Sequence, residues 1–100
     1  MTKEEKYKAI NNVLYNNKLY NSFVIYGKEY FSCNTAKQCI RNLKEILKFD
    51  TQTLDRLLNE MYHDNPLEYI FYGNYMLYSD RIRCDVFEIW IWRKLNEIIE

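Results

Sequence analysis

Apolar residues recur along this chain with two alternating periods, and the points where the period changes mark its elements. Tyr7, Ile10, Val13 and Leu14 fall on one side of a helix, and Thr2 followed by Glu5 makes a capping box, so a first helix is predicted to run to about Tyr15. Asn16, Asn17 and Lys18 end it. The stretch YNSFVIYGKEYFS, residues 20–32, then sets β-branched and aromatic residues on both sides of Gly27 and Lys28, which reads as a strand or a small hairpin.

The helical period returns at Ala36, Cys39, Ile40, Leu43, Ile46 and Leu47, which share one broad face of a helix reaching about Lys48. Thr35 with Gln38 forms a second capping box at its start. Asp50 or Thr51 caps a third helix, which ends near His63. Asn65, Pro66 and Glu68 would make a good helix start. Against it stands EYIFYGNYMLYS, aromatic-rich and split by Gly73-Asn74, so a hairpin over about 68–79 is the favoured reading. A last helix, from about Asp85, carries Val86, Phe87, Ile89, Trp90, Ile91, Trp92, Leu95, Ile98 and Ile99. The order helix, strand or hairpin, helix, helix, hairpin, helix defines a mostly helical α+β fold, and 100 residues make one domain, 1–100.

The segments VIYGKEYFS and IFYGNYMLYS align about Gly27 and Gly73, each with helices on either side, so a tandem helix, hairpin, helix repeat is conceivable. The match is short and carried by tyrosines, and is read as chance or as convergent hairpin chemistry unless the structure shows pseudo-symmetry.

In element order over nearly the whole chain, and in sequence over LKEILKFDTQTLDRLL, residues 43–58, the protein resembles a winged helix-turn-helix domain. Leu43, Ile46 and Leu47 sit where that family's first motif helix buries apolar residues. Phe49 takes the apolar position of the turn, Asp50 or Thr51 the cap, and Leu54 and Leu57 the inward face of the recognition helix. Gly73-Asn74 would lie at the wing tip. Lys48 departs from the pattern, because the turn residue adopts positive φ and is often glycine; a lysine there costs about 1 kcal/mol. The resemblance implies a transcriptional regulator of double-stranded DNA acting as a homodimer, with residues 85–100 as the dimerising helix.

Gln52, Arg56, Asn59 and His63 recur along the outward stripe of the third helix, with Asp55 and Glu60 to its sides. Arg can make two hydrogen bonds to guanine and Gln or Asn two to adenine, so this stripe is the candidate for reading bases. Lys37, Arg41, Lys44 and Lys48 line the polar side of the preceding helix, and Arg81 and Arg83 stand beside the wing. These six are candidate phosphate contacts. Ile89, Trp90, Ile91 and Trp92 are consecutive and point in four directions around one helix, more than a single core covers. Ile89, Trp90, Trp92 and Ile99 are therefore expected at a dimer interface, with a tryptophan as anchor, the alternative being that the hairpin and the first helix together enclose this helix. Of the ten tyrosines, Tyr72 and Tyr75 beside the wing turn are the candidates for stacking on bases.

Composition narrows this picture. Apolar residues are 48% and aromatics 17%, enough to build a core, so the chain is not intrinsically disordered. Abundant Asn, Lys, Ile and Tyr point to an AT-rich bacterial or phage genome. Fourteen basic residues balance 14 acidic ones, which counts against non-specific coating of nucleic acid and leaves local charge to do the work. Neutrality also keeps a second class open, a phage- or mobile-element-type protein-binding module that inhibits or adapts a host enzyme without touching nucleic acid. No apolar run approaches membrane-spanning length and MTKEEKYKA is too polar for a signal peptide, so a cytoplasmic protein without membrane contact is expected. Cys33, Cys39 and Cys84 are then expected to be reduced and packed. With His63 they could complete a zinc site, but no close ligand pair supports one. No catalytic motif or cofactor signature is present, and neither enzymatic activity nor a metal is expected.

Overall fold

The computed structural model describes residues 2–16, 22–25, 27–65, 68–72 and 75–98. Four α-helices and four antiparallel strands make an α+β fold: α1 (Lys3–Asn11), β1 (Ser22–Ile25), β2 (Lys28–Ser32), α2 (Cys33–Leu47), α3 (Thr51–Asp64), β3 (Glu68–Tyr72), β4 (Tyr75–Arg83) and α4 (Cys84–Ile98). A π-helical turn, Asn12–Asn16, extends α1. The sheet order is β1-β2-β4-β3.

Local chemistry explains most boundaries. The Thr2 hydroxyl accepts from the Glu5 backbone N–H at 3.1 Å and starts α1. For α2 the expected Thr35 cap is corrected to Ser32, whose hydroxyl accepts from the Thr35 N–H at 3.2 Å. The reason is geometric: Ser32 is the last residue of β2, and its extended backbone (φ −71°, ψ 158°) is also what an N-cap requires. Strand therefore runs into helix with no loop between them. β4 runs into α4 in the same way, so the second hairpin extends past residue 79 to Arg83. Asn65 ends α3 rather than opening a new helix.

The first hairpin closes at Ile25↔Lys28, with Gly27 at φ +75°, a conformation that favours glycine. The second closes at Tyr72↔Tyr75, and the proposed wing tip, Gly73-Asn74, lies outside the described residues.

At the centre of the sheet Phe31 pairs with Ile82, flanked by Tyr30↔Arg83 and Ser32↔Arg81. Exchanging the two halves of the chain maps this register, and the sheet order, onto themselves. The spacing that separates Phe31 from Ile82 also separates Cys33 from Cys84, Ala36 from Phe87, Cys39 from Trp90 and Ile40 from Ile91, all buried. Each of α2 and α4 contacts both β2 and β4. The hairpins and the helices that follow them, β1-β2-α2 and β3-β4-α4, thus form a pseudo-twofold arrangement, while α1 and α3 do not share it, since α2 packs against both more closely than α4 does. It is centred on the strand-to-helix junctions and not on Gly27 and Gly73, because β4 is longer than β2.

One hydrophobic core joins the halves. Ile10, Val13 and Leu14 from the first helical segment, Ala36, Ile40 and Leu43 from α2, Leu57 and Met61 from α3, and Phe87, Ile91 and Leu95 from α4 belong to it. Phe31 meets Phe87 edge to face at 5.1 Å between ring centroids.

Candidate nucleic-acid interface and the cleft beside it

The joint between α2 and α3 is a single left-handed residue followed by a cap. Lys48 adopts φ 57°, ψ 38°, and its N–H donates to the Lys44 carbonyl at 2.7 Å, closing α2. Phe49 packs half-buried against the core. Asp50, and not Thr51, caps α3, its Oδ1 accepting from the Thr53 N–H at 2.7 Å. Hydrogen bonding to Thr53 holds the Asp50 carboxyl below the usual carboxylate range, as a charged N-cap should.

On α3, Leu57 and Met61 are fully buried, Leu54 and Leu58 half-buried, and Gln52, Arg56, Asn59 and His63 exposed. The stripe is thus free of the core along the whole helix. Arg56 lies 4.0 Å from Glu60, an exposed pair worth little, which leaves its guanidinium largely in solvent. His63 contacts Asp64 at 3.1 Å with its side chain 90% exposed.

Arg41 and Lys48 are exposed and Lys37 and Lys44 half-buried on α2. The Lys37 ammonium sits 4.9 Å from the centroid of the Tyr62 ring, so the basic stripe reaches the neighbouring helix beside His63. Hydrogen bonding to Tyr62 raises the Lys37 pKa above its ordinary value. Arg81 is half-buried opposite Ser32 in the central strand pair. Arg83 has a partner within the chain. Its Nε and Nη2 donate to the two carboxylate oxygens of Asp85 at 3.1 and 2.7 Å in a two-pronged fork.

The expected dimer anchors on α4 divide. Ile89 is 64% exposed, whereas Trp90 is 5% exposed and its indole N–H donates to Asp64 Oδ2 at 2.8 Å. Trp90 is corrected to a core residue because Asp64, at the end of α3, satisfies its polar edge while Phe87 packs its ring at 5.8 Å. Trp92 is half-buried and stacks on Tyr7 of α1 at 5.5 Å, so it too is largely occupied within the chain. Ile99 lies outside the described residues, as do the side chains of Tyr72 and Tyr75.

Sequence reasoning missed a charged bridge between α3 and α4. Lys94 Nζ lies 2.9 Å from Glu60 and 3.6 Å from Asp64. Its pKa is raised, chiefly by the hydrogen bond to Glu60, and hydrogen bonds from His63 and then Trp90 hold Asp64 below the usual carboxylate range. The available signal was spacing: Glu60 and Asp64 stand one helical turn apart, as do Trp90 and Lys94. Behind this bridge a cleft of about 390 Å³ separates the end of α3 from α4.

The three cysteines are free and buried. Burial pushes the Cys39 and Cys84 thiols up to about 12, with Glu29, Asp85 and Glu88 adding to the effect at Cys84. Neither is a reactive thiolate at neutral pH. Among the described residues no three His, Cys, Asp or Glu gather as metal ligands, and no helix is long and apolar enough to cross a membrane.

Comparison with known proteins gives no significant match to a family model, to a curated protein or to a solved structure.

Proposed function

We propose that the protein is a cytoplasmic winged helix-turn-helix transcriptional regulator that binds DNA sequence-specifically, with α3 as its recognition helix. The observation that carries this reading is the outer face of α3, where Gln52, Arg56, Asn59 and His63 are exposed while Leu57 and Met61 seal the opposite side. Two further features support it. The tight left-handed turn at Lys48 has the conformation that helix-turn-helix joints use. The strand before α2 pairs with the second strand of the hairpin that follows α3, as a wing requires.

In the proposed complex α3 lies in the major groove, Arg56 donates to a guanine edge, and Gln52 and Asn59 each address an adenine. Lys37, Arg41, Lys44 and Lys48 on α2 and Arg81 supply phosphate contacts. Arg83 would have to exchange Asp85 for phosphate to join this set. With Trp90 and Trp92 turned inward, a homodimer through α4 would rest on Ile89 and Val86, and the proposal is made for the single chain.

A salt-stepped mobility-shift assay on genomic fragments tests the reading. A subset of fragments should be retained, with affinity falling steeply as salt rises. Arg56→Ala should weaken that specific binding by about 1–3 kcal/mol and relax its selectivity, while Lys44→Gln should weaken binding to all fragments alike. Equal affinity and selectivity in Arg56→Ala would refute the assignment. The second reading, a host-enzyme-binding module, is favoured by the exposed Ile89 and Val86 and predicts no salt-dependent DNA retention at all.

A further inference from the structure

Asp85, Val86, Ile89 and Arg93 lie within about 100° of one another around α4. All four are exposed. Val86 and Ile89, 41% and 64% exposed, make an apolar pair in the middle of this stripe, with one charge at each end.

The pseudo-twofold arrangement supplies an internal comparison. The spacing that relates Phe31 to Ile82 places Asn34, Thr35, Gln38 and Asn42 of α2 where α4 has Asp85, Val86, Ile89 and Arg93. That side of α2 is polar throughout, and the Gln38 side-chain amide donates to Asn42 Oδ1 at 3.1 Å. Two helices that follow equivalent hairpins thus end in opposite chemistry: α2 is finished for water, and α4 for contact.

The charges on the stripe specify the contact. Asp85 lies one turn before Ile89 and Arg93 one turn after it, each about 6 Å along the axis. The Asp85 side chain is 60% exposed beyond its fork with Arg83, and Arg93 has no ion-pair partner among the described residues. If two copies of α4 lie antiparallel and cross at Ile89, each Arg93 faces the partner's Asp85, and its aliphatic stem covers the partner's Val86. A parallel pair would instead set aspartate against aspartate and arginine against arginine. The stripe is therefore self-complementary in one orientation, as an isologous twofold interface requires. The cleft of about 390 Å³ on the α3 side of the stripe leaves room for side chains of an opposing helix.

We propose that the protein pairs with a second copy of itself through this side of α4, antiparallel about Ile89, with two Asp85–Arg93 ion pairs flanking the apolar centre. Trp90 and Trp92 stay within their own chains. The contact is small, so the dissociation constant is on the order of 100 µM. It concerns the free chain and holds whether or not α3 contacts DNA.

Sedimentation equilibrium of the full chain without nucleic acid, from about 10 µM to about 1 mM, should show the mass rising towards that of two chains. Ile89→Asp and Arg93→Glu change exposed residues, so both variants should keep the parent's unfolding transition. Each should weaken association at least about tenfold, the first by burying a charge and the second by setting like charges together. Adding Asp85→Lys to Arg93→Glu exchanges the signs of both pairs and should recover association. Gln38→Asp, at the equivalent place on α2, should leave it unchanged. The proposal is overturned if the parent stays monomeric throughout this range, or if Ile89→Asp or Arg93→Glu associates as the parent does. A folded double variant that does not recover overturns the antiparallel pairing.

Discussion

Lys48 is held where an L-residue is strained, at φ 57°, and the positive φ expected from the helix-turn-helix resemblance is the conformation found there. Glycine meets no Cβ penalty in this region, so Lys48→Gly should stabilise the fold by about 1 kcal/mol, read as a higher denaturant midpoint with an unchanged slope. A loss of stability would mean that the lysine side chain contributes packing that outweighs its backbone strain. Asp64 supports a second prediction at this scale. Hydrogen bonds from His63 and Trp90, with Lys94 nearby, lower its pKa on folding. A carboxyl lowered on folding stabilises the protein above its unfolded pKa, and that stability disappears as pH falls through the folded value. Asp64→Asn should therefore be less stable than the parent at pH 7, with the gap closing on acidification below about pH 4. Asp50 and Asp85 are lowered too, so the variant should keep part of the acid sensitivity. Urea unfolding at several pH values reads both effects.

At the scale of elements, α3 and α4 are held together by Trp90, whose ring is in the core and whose N–H reaches across to Asp64. Trp90→Ala should cost about 3–5 kcal/mol, the range for emptying a buried aromatic site, and should destabilise the monomer rather than dissociate a dimer. Urea unfolding at two protein concentrations distinguishes these, since only dissociation depends on concentration. This is where the sequence was least legible. The helical period placed α2 and α3 correctly because their apolar and polar sides are cleanly divided. In α4 the run Ile89-Trp90-Ile91-Trp92 is apolar in every direction, and periodicity has no power to say which residue faces a neighbour. Trp90 and Ile91 go inside, Trp92 finds Tyr7, and Ile89 is left out. Long-range partners decided each case. Ser32 was missed for another reason: an N-cap that is also the end of a strand carries no punctuation, and the more familiar Thr35/Gln38 spacing displaced it.

At the scale of the molecule, the central pair β2–β4 joins one half of the chain to the other, and each half supplies one strand to it. Phe31 and Ile82, paired at the centre of the sheet, are 0% and 1% exposed. Each half also spends its longest apolar face on the shared core: α2 and α4 both lie across β2 and β4. A unit of half this length buries too small a share of its surface to fold alone, and here it would expose an unpaired inner strand as well. Residues 1–49 and 50–100, made as separate chains, should each lack cooperative unfolding by circular dichroism. Mixed in equal amounts they should regain helical signal and a single transition, because the register Tyr30↔Arg83, Phe31↔Ile82, Ser32↔Arg81 needs both strands and no covalent link at the Lys48 turn. If either half folds by itself, its β2 or β4 edge must be pairing with a second copy, which the same symmetry permits and which sedimentation would detect as a dimer of halves.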